Sequence, residues 1–142
     1  MKKSYMLLTL FVAVIFATSC RETYDDYDSG GSPLIGFTLG VEAEIGLSNN
    51  PVNLPISYFV TDVSSSDRTF QIIVDPATTV TSDNFSFESS VTIPANERIG
   101  QLILTISNVS LSQEFEPIVL SFESTSSVVS GDKATVFVKS NN

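Results

Sequence analysis

Among the residues able to do chemistry, carboxylates dominate: sixteen acids stand against seven bases, with one cysteine and no histidine in 142 residues. Carboxylates can work in pairs on a glycosidic bond, and Glu114 with Glu116, or Asp62 with Asp67, are the candidate pairs. Oxygen-rich loops carrying Asp62, Asp67, Asp75 and Asp83 are the candidates for holding Ca²⁺. Neither pattern is dense. Glu114 and Glu116 sit two apart, on one side of an extended segment that leads into a strand. None of the four aspartates falls in a D-x-D-x-D-G spacing, so solvated loop acids are the plainer reading of all of them. Without histidine the commonest general base and transition-metal ligand is missing. A lone cysteine makes no internal disulfide, zinc cage or Cys–His nucleophile. The expectation is therefore a non-enzyme with no catalytic residue, no cofactor and no assigned metal.

Other polar and aromatic candidates are weaker. Tyr24, Tyr27, Tyr58 and Phe59 are the aromatics placed to reach solvent and to serve as platforms for a sugar ring. Tyr58, however, falls on the inner face of its strand, which makes it core first. Asn84-Phe85-Ser86 and Asn108-Val109-Ser110 match glycosylation sequons, read here as chance. The formal charge of −9 repels phosphate backbones, so nucleic acid is not an expected partner.

The elements that would position these residues are strands. From Leu34 onward short apolar alternations are separated by turn residues, and no window sustains a 3.6-residue period. Residues 34–39 and 41–45 read as an opening strand or pair broken at Gly40, and GLSNNP (46–51) as a turn. Leu54, Ile56, Tyr58 and Val60 alternate through LPISYFV, with Pro55 suggesting an edge or a strand start. Phe70, Ile72 and Val74 alternate in the next strand, closed by Asp75-Pro76. Phe85 and Phe87 point one way; Val91 and Ile93 form a short strand ended by Pro94, with the turn at Ala95-Asn96. Leu102, Leu104 and Ile106 share a face, with Ile103 on the other, so this strand reads as central. Ile118, Leu120 and Phe122, then Ala134, Val136 and Val138, supply the last inward sets. Seven or eight strands at intervals of roughly 8–12 residues predict an all-β, antiparallel sandwich over residues 34–140. Length suits one domain with a single core.

The first twenty residues have a different character. Lys2 and Lys3 precede an apolar run over residues 5–16, and Ala17, Thr18 and Ser19 are small. A spanning anchor needs about 20 apolar residues, more than this run offers. A plain secretory signal remains an alternative. Small residues directly before Cys20 resemble the lipobox of bacterial lipoproteins, although Ala17 stands where a large aliphatic residue is usual. That resemblance implies a signal peptide over residues 1–19 and lipid on Cys20, whose acyl chains bind the protein to the membrane. Two or more chains anchor stably where one does not. Cleavage there would remove Lys2 and Lys3 and no acid, leaving the chain still more acidic. Residues 20–33, the cysteine and RETYDDYDSGGSP, read as a flexible acidic tether. ETYDDYD is similar to the acidic surface-export signal of Bacteroidetes lipoproteins. Surface and periplasmic faces of the outer membrane both stay open.

A second resemblance covers roughly residues 54–138. SVTIPANERIGQLILTI, the acidic Glu-Phe-Glu before IVLSFES, and the closing GDKATVFV resemble the second half of Calx-β-like domains. They are also similar to the Ig-like domains of small Bacteroidetes lipoproteins of unknown function, whose first half DRTFQIIVDPATTV and NFSFES match. Asn96 stands at the turn position where relatives usually carry glycine. Calx-β domains bind Ca²⁺ through acids that include a run just after the last strand, and Lys139-Ser140-Asn141-Asn142 lacks them. The resemblance implies an Ig-like sandwich with a binding or structural role. The expected function is a lipid-anchored cell-envelope module holding a glycan or an envelope protein. A calcium-dependent adhesion module is the alternative.

Overall fold

The computed structural model describes residues 31–38 and 42–142. The leader, Cys20, Tyr24, Tyr27 and the break at Gly40 lie outside the described residues. One compact unit runs Ser32–Asn142. It is all-β, with ten strands: β1 Leu34–Phe37, β2 Glu42–Leu47, β3 Val52–Val60, β4 Arg68–Val74, β5 Phe85–Ser86, β6 Ser90–Ile93, β7 Ile99–Ile106, β8 Glu116–Phe122, β9 Val129–Ser130 and β10 Ala134–Ser140. A 3-10 turn, Ser82–Asn84, precedes β5. The strands form two five-stranded sheets, ordered β5-β7-β3-β1-β9 and β2-β10-β8-β4-β6.

Alternation explains why these two sheets press together. In β7 the even residues Leu102, Leu104 and Ile106 are buried, while Ile99 and Ile103 on the odd face are exposed. β8 and β10 bury Ile118, Leu120, Phe122, Ala134, Val136 and Val138 in the same way. Residues two apart share one face of a strand, so each strand delivers one apolar row to the space between the sheets. Phe122 joins the layers. Its ring stacks on Phe37 of the facing sheet at 4.8 Å and meets Tyr58 edge-on at 5.6 Å and Phe70 at 6.5 Å. Tyr58 is 3% exposed, a core residue as its register indicated. Its ring lies across Gly100, directly opposite on β7, where any Cβ would collide with it. Burial first, and the nearby Glu88 carboxylate second, push the Tyr58 hydroxyl pKa upward.

Several local expectations need correction. Among the described residues the strands number ten, because β5 and β9 are two-residue strands too short to show an alternation. The sandwich is not purely antiparallel: β1 runs parallel to β9, and β2 parallel to β10. The opening segment divides between the sheets, β1 in one and β2 in the other, and parallel pairing between segments distant in sequence leaves no local signature. β2 extends through Gly46 to a buried Leu47, so the turn begins only at Ser48. Pro55 is neither at an edge strand nor at a strand start. It sits inside β3, whose even residues aim their amides at β7, as the Val60 N–H to Arg98 carbonyl bond (2.8 Å) shows. The odd side faces β1, whose described pairing reaches only Ser57. Proline's missing N–H therefore falls where no described strand needs it. β7 is central only in part: β5 pairs with it at Thr105 and Ile106 alone. Val74, expected inside, still pairs with Leu120 of β8 but is 45% exposed, on the wall of an open cleft.

Candidate functional site

The site grows out of the crossing from β4 to β5, which carries the chain from one sheet to the other. Past Val74 the chain still follows β8: the Asp75 N–H donates to the Val119 carbonyl at 2.8 Å and the Thr79 N–H to the Pro117 carbonyl at 3.0 Å. The Thr78 hydroxyl stands in for a missing peptide. It donates to the Val119 carbonyl (3.0 Å) and accepts from the Val119 N–H (2.9 Å). Asp75 holds the turn by accepting from the Ala77 N–H at 3.0 Å, a side-chain closure typical of aspartate in turns. Its other oxygen takes Lys133 Nζ at 2.7 Å. That hydrogen bond from Lys133, then the one from Ala77, lower the Asp75 pKa.

The crossing ends on Asn84, which is 1% exposed. Its amide nitrogen donates to the hydroxyls of Thr81 (2.7 Å) and Ser110 (3.0 Å). Its oxygen accepts from the N–H groups of Val109 (3.0 Å) and Ser110 (2.9 Å). A buried asparagine with both ends of its amide engaged is a structural clasp. Asn108 likewise donates to the Ser140 hydroxyl at 2.9 Å and the Leu47 carbonyl at 3.3 Å. Both sequon asparagines thus tie loops together.

Between this crossing and β5 lies an open cleft of about 550 Å³. Val74, Pro76, Val80, Phe85 and Phe87 form its apolar lining, and Asp75, Thr78, Ser82 and Ser86 its polar lining. The rings of Phe85 and Phe87 are nearly parallel, with 6.4 Å between centroids and 6° between their planes, and both are half-buried. Apolar flat surface beside a few hydroxyls and one carboxylate suits a ligand with C–H faces and hydroxyl edges. A hydrolytic pair needs a second carboxylate within about 5–9.5 Å of the first. Asp75 is the one acid among the described residues lining the cleft, and it is engaged by Lys133.

The other sequence candidates scatter. Asp62 pairs with Arg68 (2.6 Å), whose other nitrogen reaches the Asp62 carbonyl at 2.9 Å. Asp67 accepts from the Ala95 N–H at 2.8 Å. Both flank the start of β4, whereas Asp75 follows its end, about 25 Å away at a strand rise of about 3.3 Å per residue. Asp83 is exposed in the 3-10 turn. Among the described residues no three acids or cysteines come together as a metal cluster. Glu114 is exposed in the loop before β8, and Glu116 opens β8 opposite Val138. Phe59 is half-buried on the outer face beside Ile99. Phe85 and Phe87 were legible as a same-face pair, but nothing in their spacing showed that the crossing would leave a cleft against them.

No family model matches the sequence, and no curated protein does. Solved structures do share its fold. A multidomain protein including DUF1735 from Bacteroides ovatus matches with a TM-score of 0.55 at 19% identity, over 75% of this chain and 45% of that one. The apo form of the Calx CBD1 domain matches with a TM-score of 0.56 at 11% identity, over 79% of this chain and all of that domain. A candidate carbohydrate-binding protein from Bacteroides ovatus matches with a TM-score of 0.55 at 11% identity, over 74% of this chain and 36% of that one. The chain thus spans less than half the length of the Bacteroides ovatus proteins it resembles. At these identities the likeness concerns the fold, and that fold is a Calx-β-like β-sandwich.

Proposed function

We propose that this chain is a non-catalytic binding module of the cell envelope, lipid-anchored through Cys20, whose cleft beside Phe85 and Phe87 takes a sugar ring. The cleft carries the reading: two parallel rings with Val74 and Pro76 form an apolar surface, and Asp75, Thr78, Ser82 and Ser86 offer hydrogen bonds around it. The fold shared with a candidate carbohydrate-binding protein supports it by analogy. In this reading residues 1–19 are the signal peptide, 20–33 the tether and 34–140 the binding domain. The protein sits at the outer membrane, on its surface or periplasmic side, with a glycan or an envelope protein as partner.

A glycan array followed by calorimetry tests the cleft. A hit that Phe87→Ala abolishes supports the proposal, and a hit that Phe87→Ala leaves intact refutes this site. Binding that vanishes in EDTA would instead favour the calcium-dependent adhesion module. The anchor is tested separately: Cys20→Ala should release the protein from the membrane fraction, and its retention would rule lipidation out.

A further inference from the structure

The outward edge of β7 is the feature that neither the core nor the cleft accounts for. Its even residues bond to β3, and its odd residues aim at the lane where β5 lies, as the 2.7 Å bond from the Ser107 N–H to the Asn84 carbonyl shows. β5 fills that lane only opposite Thr105 and Ile106, because the chain then leaves for the other sheet as β6. Among the described residues no strand lies beside the N–H and C=O groups of Ile99, Gln101 and Ile103, and a slot of about 400 Å³ runs along Gln101 and Ile103. Edges of this kind are normally blunted with lysine, proline or a bulge. The segment Ile99-Gly100-Gln101-Leu102-Ile103 carries none of these residues, and Ile99 and Ile103 are 65% and 46% exposed.

The geometry points to a second copy of this chain as the occupant, pairing β7 antiparallel to β7 about a two-fold axis through Gln101. Centred there, Ile99 opposes Ile103 of the other copy and Gln101 opposes itself. All three are hydrogen-bonding positions, so each pair exchanges two bonds, about six in all. The sequence is self-complementary, as an isologous interface requires. Charge favours the same occupant. No charged residue lies in β7 or among the outward-facing residues of β3, Asn53, Pro55, Ser57 and Phe59, in a chain of net charge −9. Along Ile99–Ile103 two acidic copies therefore meet without opposing like charges. Arg98, the residue before the strand, comes to lie opposite Leu104 of the other copy, beside that copy's Ser86 and Glu88. Glu88 is the one charged residue among the described residues lining the slot. In this register residue 97 of one copy falls opposite Thr105 of the other, where Ser86 already pairs, so the ladder is confined to Ile99–Ile103, between β5 and the turn at Asn96 (φ 65°).

Opposed hydrogen-bonded residues stand about 5.5 Å apart between Cα atoms, within disulfide reach. Gln101→Cys in the full-length chain, mildly oxidised and read on a non-reducing gel, should therefore give a covalent dimer. The parent chain, which keeps Cys20, sets the background, and Gln71→Cys on the other sheet's exposed face is the control. Adding Ile103→Lys to Gln101→Cys should reduce the dimer at least tenfold with an unchanged circular dichroism spectrum. Sedimentation of the parent chain should show dimer at micromolar concentration and needs no variant. A monomer there, or Gln101→Cys cross-linking no better than Gln71→Cys, overturns the proposal. In that case an extended peptide from another protein becomes the candidate for the slot.

Discussion

Two crossings between the sheets flank β4, and they use similar residues to opposite ends. Residues 61–67 enter from β3, and residues 75–84 leave towards β5; both are rich in serine, threonine and aspartate. The first is tied by side chains near the surface: Asp62 to Arg68, and Asp67 to the Ala95 amide. The second inserts Val80 (6% exposed) and Asn84 (1% exposed) into the interior and leaves a cleft above them. Composition does not distinguish a loop that closes from a loop that builds. What differs is where the loop's polar groups lose water, since a hydrogen bond made in the interior leaves a desolvated partner behind when it is removed.

Breaking the second crossing should therefore have the largest effect. Asn84→Ala strips the partners from the Val109 and Ser110 amides and from the Thr81 and Ser110 hydroxyls. Each buried group left unpaired costs about 1–3 kcal/mol, so a total loss of about 2–4 kcal/mol is expected in chemical denaturation. Asn108→Ala, at a half-buried position with two donated bonds, should cost about 1 kcal/mol. Equal costs for the two would show that burial is not what separates the clasps.

Next comes the cleft itself. Phe87→Ala removes one of two parallel, half-buried rings. A tenfold loss of glycan affinity, about 1.4 kcal/mol, is expected by calorimetry. The matching change in the first crossing, Val63→Ala at an exposed residue, should leave affinity unchanged. An equal loss from both would move the site away from the second crossing.

The sandwich was legible because its core rows are period-two rows: the inward sets of β7, β8 and β10 could be read off as Leu102, Leu104 and Ile106, as Ile118, Leu120 and Phe122, and as Ala134, Val136 and Val138. Alternation fails where a strand is short or where the facing sheet does not cover it. Val74 keeps the period of Phe70 and Ile72 and pairs with Leu120, and is nonetheless exposed, because it walls the open cleft. β5 and β9 hold two residues each, and the β2–β10 pairing joins segments some ninety positions apart in sequence. The cleft depends on both kinds of event. Its rings, Phe85 and Phe87, were readable as neighbours on one face, whereas the crossing that frames them is set by Thr78 replacing a peptide beside Val119. Asn84 was legible only as a sequon, because nothing local marks an asparagine that will be buried.

In the first crossing, Asp67→Ala removes the acceptor that holds the Ala95 amide at an exposed position. Water can replace the carboxylate there, so a loss of about 0.5–1 kcal/mol is expected, well below that of Asn84→Ala. A loss as large as that of Asn84→Ala would mean that the first crossing, too, is buried in energetic terms.

The smallest expected effect belongs to Asp75, the second crossing's partner for Lys133. Its pKa is lowered from 3.8, chiefly by the hydrogen bond from Lys133 and then by that from the Ala77 amide. A carboxyl with a lower pKa folded than unfolded binds fewer protons in the native state, so it stabilises the fold where it is ionised in both states. That contribution is complete above the ordinary carboxylate value of 3.8. It declines as pH falls through that value towards the lowered one and is absent below both. Asp75→Asn should thus lower the melting temperature slightly at pH 7 and by progressively less on acidification, the two proteins converging once Asp75 is protonated in the native state. Salt should shrink the difference at pH 7 as well, since Lys133 is half-exposed and its pairing is screened. A gap that persists undiminished below the folded pKa would assign Asp75's role to the shape of its turn, through the Ala77 bond that asparagine can also accept. The second crossing would then be held by geometry alone, as its buried asparagine is.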